Sequence, residues 1–312
     1  MECCVLERRC MRRMSPWTPL VAATVGWAFS VVINKVILAR GVDTVTLVPI
    51  RTAFGLITLL LIAAVTRRFW TTSKAAWIRG AILGVAAMAV PNLVMTRALE
   101  DLPVSLGGLL IALIPITTVI AAHFILHDEK FQARSIPGLL LALAGTALLV
   151  GIGGESLEGV GNLWRGVAFS LSGVVLAGIG GALTRKFALA VPSQDLVLPQ
   201  FVVCTIFLFL VVPLVLDFEP ATVDAGSLAW LVALGAVGTA LPFAMFILAA
   251  AINPAWRLGL TGYSVPVLAV AMAVVFLGER LTPAIIGGAV LIIGGVVLAD
   301  RATTRAAVPE IV

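Results

Sequence analysis

Long apolar runs, separated by short charged or Pro/Gly-rich breaks, occupy almost the whole of this chain. They predict spans near Thr18–Ala39, Thr44–Val65, Trp77–Leu99, Val104–Leu126 and Ser135–Gly151, then Trp164–Phe187, Gln194–Leu216, Ser227–Ile252, Ala255–Leu277 and Pro283–Ala299. A helix needs roughly 20 apolar residues to cross a hydrocarbon core, and most of these runs are about that long. The reading is an all-α integral membrane protein of ten transmembrane helices. The longest polar connection, Gly153-Gly154-Glu155-Ser156-Leu157-Glu158-Gly159, divides the runs five and five.

Composition strengthens this reading. Of 312 residues, 61% are hydrophobic and 12% charged, and the mean hydropathy is +1.12, which leaves too little polar surface for a domain dissolved in water. A net charge of +5 in a soluble protein would point to nucleic acid. Here the positions of the cations matter instead, and no nucleic-acid partner is expected. Cytoplasmic segments retain Lys and Arg. With the N-terminus inside, those segments hold Arg8, Arg9, Arg12, Arg13, Arg67, Arg68, Lys74, Arg79, Lys130, Arg134, Arg185, Lys186, Arg257, Arg301 and Arg305, against Arg40, Arg97, Arg165 and Arg280 outside. Both termini are therefore expected in the cytoplasm, in a multi-pass protein of the inner membrane. The first apolar run is too long for a cleaved signal peptide and is expected to remain as a span. Cys3, Cys4, Cys10 and Cys204 form no disulfide or metal-ligand pattern, so no metal and no cofactor is expected.

The chain repeats itself. Gly84, Pro91, Pro103 and Pro115 meet the same residue types 151 positions later at Gly235, Pro242, Pro254 and Pro266. Weaker echoes pair Trp17 with Trp164 and Pro49 with Pro199. Five spans is an odd number, so a second copy enters the membrane from the opposite side, giving two inverted five-helix repeats with a site between them. The expected organisation is a cytoplasmic segment over residues 1–16, a first repeat over 17–151, a linker over 152–163, a second repeat over 164–300 and a tail over 301–312.

Two segments carry a family resemblance. They are Pro115-Ile116-Thr117 through Asp128-Glu129-Lys130, and Pro266-Val267-Leu268 through Leu277-Gly278-Glu279-Arg280-Leu281-Thr282. Together they resemble the EamA family of the drug/metabolite transporter superfamily, whose halves each close with a proline-containing span, a Leu-Gly-Glu-Arg-Leu-like turn and a Gly-rich last helix. The second copy matches well, whereas the first carries an extra residue at His127-Asp128-Glu129-Lys130. The resemblance implies a transporter, not an enzyme. Its members move amino acids, other metabolites, cations or drugs, and the best-known branch near this architecture exports amino acids.

Polar residues inside spans mark the interior of a bundle, because they are costly against lipid. In the first span Thr24, Trp27, Ser30 and Asn34 share one face, and in the ninth Arg257, Thr261 and Ser264 do, with Tyr263 beside them. Interhelical hydrogen bonding is the bland alternative for Thr24 and Ser30. Asn92 follows Pro91, where the helix ladder is interrupted and freed carbonyls could help to hold a ligand. Pro91, Pro115, Pro242 and Pro266 are read as helix bends. Lys35 and Arg51 lie within spans, either snorkelling or paired structurally, or drawing in a substrate carboxylate. No Asp or Glu stands at the centre of any span, so a carboxylate proton relay has no seat. His123 is expected to pack in the core. Small residues at Gly173, Ala177 and Gly181, at Gly138 and Ala142, and at Ala284 and Gly288 allow close helix contact, and the last two sets could equally form the face of a homodimer.

The substrate pathway is thus expected at Trp27, Ser30, Asn34, Lys35, Arg51, Asn92, Thr261, Tyr263 and Ser264. The expected function is a secondary carrier for small molecules, amino acids first, with cations, drugs or other metabolites as the alternative. A membrane-embedded enzyme lacks clustered nucleophiles, bases or metal ligands. A passive channel would need a continuous polar pore, and the polar stripes are short.

Overall fold

The computed structural model describes residues 15, 17–66, 73–126, 134, 136–151, 162–188, 190–210, 212–215, 223–252 and 255–306. Cys3, Cys4, Cys10, most of the expected linker and the His127–Lys130 turn lie outside them. The described residues form helices joined by short turns, with no strand among them. The first half comprises α1 (Trp17–Ala39), α2 (Thr44–Thr66), α3 (Lys74–Leu83), a π-helical segment (Gly84–Ala89), α4 (Val90–Asp101), α5 (Val104–Ile111), α6 (Ile114–Ile125) and α7 (Ile136–Gly151). The second comprises α8 (Leu163–Ala188), α9 (Ser193–Leu210), the single turn α10 (Val212–Val215), α11 (Ala225–Gly235), a second π segment (Ala236–Ala240), α12 (Leu241–Ile252), α13 (Ala255–Leu277) and α14 (Pro283–Ala306).

Among the described residues, seven stretches are long and apolar enough to cross a membrane, and three shorter apolar helices lie at Ile136–Leu148, Ser264–Leu277 and Pro283–Leu298. The distribution of side chains is that of a protein in lipid. Val65, Phe124, Leu214 and Val275 are largely exposed, whereas Ser30, Asn34, Arg51, Thr52, Thr96, Ser170 and Thr239 are buried. Trp17, Trp77 and Trp164 are exposed near helix ends, where amphipathic rings suit the headgroup boundary.

The third and eighth predicted spans are not the uninterrupted α-helices that the apolar runs suggest. Proline lacks an N–H, and its ring strikes the carbonyl four residues earlier. For Pro91 that carbonyl belongs to Ala87 and for Pro242 to Gly238, and in both places the ladder slips into a π segment. The two units correspond in detail. Ser73 caps α3 by accepting from the Ala76 N–H, and Asp224, 151 positions on, caps α11 by accepting from the Gly226 and Ser227 N–H groups. The fourth span also breaks. Helix α5 ends at Ile111, whose carbonyl the Pro115 ring would meet, and a tight turn with Ala112 and Leu113 N–H bonded to the carbonyls of Leu109 and Leu110 leads into α6. By contrast, α13 runs unbroken through Pro266.

The halves interleave. Helix α1 packs on α12 and α13, and its counterpart α8 packs on α4 and α6. In the same way α2 packs on α11 as α9 packs on α3, and α7 lies along α14. Each large apolar cluster therefore draws on both halves. One joins Ile37, Leu47 and Met88 to Phe201, Cys204 and Leu234, and another joins Leu102, Leu106 and Leu109 to Val174, Ile292 and Val296.

Small residues set the closest approaches. A Cβ on Gly295 would lie 2.5 Å from the Gly138 carbonyl and the Ala142 nitrogen, and one on Gly145 would lie 2.9 Å from the Gly288 carbonyl. The small-residue stripes of α7 and α14 are thus used against each other within the chain. On α8, Gly173 faces Met95 and Gly181 faces Thr118. His123 departs from its expected core position. It is exposed in the last turn of α6, its ring 5.0 Å from that of Phe124.

At the end of the bundle bearing Gly41, Leu102 and Gly278, side chains complete the broken backbone. The Lys35 ammonium donates to the carbonyls of Leu99 (2.6 Å) and Leu102 (2.9 Å), at the C-terminus of α4. The Glu279 carboxylate accepts from the N–H groups of Val104 (2.7 Å) and Ser105 (2.9 Å), at the start of α5. Gly278, at φ +65°, turns the chain so that its neighbour Glu279 can cross to the other half. Nearby, Arg165 grips Asp101 through two bonds of 2.7 Å, joining α8 to α4.

Adjacent glycines on α14 provide a test of this packing. A Cβ on Gly294 meets nothing within 4 Å. Overpacking costs about 1–3 kcal/mol, so Gly295→Ala is expected to lower the thermal midpoint of the detergent-purified protein by several degrees. Gly294→Ala should leave it unchanged or raise it slightly, as read by size-exclusion chromatography after heating.

Candidate functional site

Between the two halves lies a cavity of about 360 Å³. The first half contributes Trp27, Ser30 and Asn34 from α1, Arg51 from α2, Pro91, Asn92 and Met95 from α4, and Ile111, Ile114 and Pro115 around the break between α5 and α6. The second contributes Ser170 and Ala177 from α8, Gly238 and Thr239 from the second π segment, Phe243 from α12, and Thr261, Gly262 and Val265 from α13. The helical interruptions and prolines thus border the cavity, where irregular backbone is tolerated in a membrane.

Arg51 is the charged residue of its wall among the described residues. Its side chain is buried. One terminal nitrogen donates to the Asn34 amide oxygen at 3.0 Å and the other to the Asn92 amide oxygen, while Nε has no partner. The Asn92 amide nitrogen in turn donates to the Met88 carbonyl at 2.7 Å, which fixes which way that amide points. The guanidinium is therefore held by two neutral oxygens, with no carboxylate in the wall. A guanidinium stays charged at neutral pH, and a buried charge without a counter-ion is costly, so the site favours an incoming anion.

Much of the rest of the wall is aromatic and aliphatic. Trp27 meets Phe243 edge-to-face with centroids 5.8 Å apart and Phe246 at 5.2 Å, and Phe243 meets Phe201 edge-to-face at 5.5 Å. Gly26 allows the approach, since a Cβ there would lie 2.5 Å from the Pro242 ring. Thr239 donates its hydroxyl to the Leu234 carbonyl, a backbone acceptor at the π segment.

Of the residues expected along a pathway, the structure brings Trp27, Ser30, Asn34, Arg51, Asn92 and Thr261 into this one wall. Lys35 lies apart, in the capping contact with Leu99 and Leu102. Ser264 is exposed in a separate crevice between α1 and α13, with Trp17, Val21 and Thr24, and Thr24 donates its hydroxyl to the Leu20 carbonyl of its own helix. The side chains of Tyr263 and Arg257 lie outside the described residues. Sequence reasoning missed Met95, Thr96, Ser170, Thr239 and Phe243. The matched Pro91 and Pro242 could have drawn attention to the last two, because residues beside a helix interruption tend to border a cavity.

Comparison with known proteins places this geometry. A solved crystal structure superposes on the chain with a TM-score of 0.63 at 19% identity, covering 92% of this chain and 99% of its own, which is a likeness of fold. An uncharacterized protein of Pseudomonas aeruginosa is 27% identical over 263 residues, 82% of this chain and 84% of the relative. A probable terminal-alkyne amino-acid exporter of Streptantibioticus cattleyicolor is 26% identical over 223 residues, 72% of this chain and 73% of the relative. The sequence profile of the EamA-like transporter family matches twice, over residues 18–151 and 164–299. With a profile match in each half, an apolar multi-pass exterior and a cavity between the halves, the chain belongs to the EamA-like transporter family and is a membrane transporter, not an enzyme.

Proposed function

We propose that this chain is a secondary transporter for small metabolites that carry a carboxylate, amino acids first, and that it exports them across the inner membrane. Ten spans form two inverted five-helix halves, with both termini in the cytoplasm, and the halves rock around the central cavity to expose it to either side. The observation that carries this reading is the buried Arg51 guanidinium in the cavity wall, held only by Asn34 and Asn92 and facing an apolar, partly aromatic space. The exchange symmetry of the helix packing supports a two-fold relation between the halves, and an odd number of spans in each would make that relation an inversion. The excess of Lys and Arg on one set of loops supports the orientation. The relative named as an amino-acid exporter supports the substrate class. A cationic drug would meet the like charge of Arg51, which disfavours that alternative.

The reading is tested by counterflow. Liposomes holding the purified protein are preloaded with unlabelled amino acids and challenged with one labelled amino acid, without an ion gradient. Saturable exchange is expected, and its absence in folded protein overturns the amino-acid assignment. Hydrogen bonds to charged groups are worth about 1.5–3 kcal/mol. Arg51→Met should therefore weaken the apparent affinity for carboxylate substrates by about ten- to a hundredfold, with Arg51→Lys recovering part.

Trp27→Ala and Asn34→Ala should each lower exchange while leaving the yield of folded protein near that of the parent. Equal loss of both, measured by chromatography of the same preparations, would make their role one of packing.

A further inference from the structure

The cavity presents one ionic handle and not two. All sixteen acidic residues of the chain lie at the ends of the expected spans, in the connections between them or in the terminal segments. Among the described residues of the wall the polar side-chain groups other than Arg51 are hydroxyls, the Trp27 indole N–H and two amides, and both amide oxygens face the guanidinium. An ammonium group reaching for either oxygen would sit beside a like charge in a water-poor space, where repulsion is strong. The Asn92 amide nitrogen and the Trp27 indole N–H only donate, and so offer nothing to an ammonium, which is left with neutral hydroxyls and no counter-charge. A carboxylate, by contrast, finds a buried cation whose Nε still lacks a partner. The remaining lining, including Trp27, Met95, Ile111, Phe243 and Val265, suits an apolar body.

We infer that this cavity recognises its ligand as an apolar monocarboxylate and does not read an α-ammonium group, so that amino acids are one subset of a wider ligand class. The inference rests on the central cavity being the substrate site. It predicts that removing the ammonium from a ligand costs little, and that removing the carboxylate costs nearly everything.

Three probes sharing one body separate these terms: phenylalanine, 3-phenylpropionate and phenethylamine. Binding to the purified full-length protein is read by thermal stabilisation, which does not depend on transport, and the same compounds compete in the counterflow assay. The dissociation constant of 3-phenylpropionate is expected within about tenfold of that of phenylalanine, and phenethylamine is expected to bind more than about tenfold more weakly than either. Arg51→Gln should reduce binding of both carboxylates together. A variant that does not fold is replaced by Arg51→Lys, which should weaken the two carboxylates in parallel. Phenylalanine binding with 3-phenylpropionate more than about tenfold weaker, or phenethylamine binding as well as the acids, overturns the inference and leaves amino-acid transport standing. Binding of 3-phenylpropionate without any amino-acid exchange overturns the amino-acid assignment and leaves the inference standing. If none of the three stabilises the protein, the cavity is not a carboxylate site and both fall.

Discussion

In a bilayer the backbone has no water to turn to, and every interruption of a helix must find its hydrogen-bond partners within the protein. This constraint organises the whole molecule. Where α4 ends, its carbonyls are taken by Lys35, and where α5 begins, its N–H groups are taken by Glu279 from the opposite half. Where Pro91 and Pro242 interrupt their helices, the chain slips into π segments instead of leaving a gap. Within the hydrocarbon region each orphaned group would cost several kcal/mol, whereas at the connection between α4 and α5, at the end of the bundle, Lys35 and Glu279 tie the chain ends to other helices.

The same constraint gives the Leu277-Gly278-Glu279 turn a physical role. Gly278 supplies a positive φ, and Glu279 reaches across to seal a helix start of the first half. A signature that reads as a family mark is, in this chain, a cap shared between the halves. Because packing is exchanged between the halves throughout, neither half owns a complete apolar core. The cavity is bordered by the helix interruptions near Pro91, Pro115 and the second π segment.

The placement of cations follows a similar logic. Lys35 and Arg51 both lie within spans, yet they differ in how their charge is used. The Lys35 ammonium is a compact donor and is consumed by two backbone carbonyls. Arg51 has more donors than Asn34 and Asn92 occupy, so it retains binding capacity toward the cavity. A site of this kind selects by charge at the guanidinium and by shape and apolar contact along the rest of its wall.

Membrane location, the helical class and the duplicated plan were legible in the sequence, because apolar run length and proline spacing are local properties. Most helix ends fell within a few residues for the same reason, although α14 runs on to Ala306, past the expected Ala299. The polar face of α1 was also legible, since a period of 3.6 places Trp27, Ser30 and Asn34 together on any helix. What the sequence left open was which groups would meet across the bundle. Nothing local distinguishes Lys35 from Arg51, or Ser30 from Thr24, because each role depends on a partner far away in the chain. The π segments were equally hidden, since proline only forbids a bond and the surrounding helices decide how the ladder adjusts. Run length and period determined that helices cross a membrane with polar faces turned inward; only tertiary packing decided that Asn34, Arg51 and Asn92 converge on one cavity, because convergence is a property of distances between helices and not of order along one.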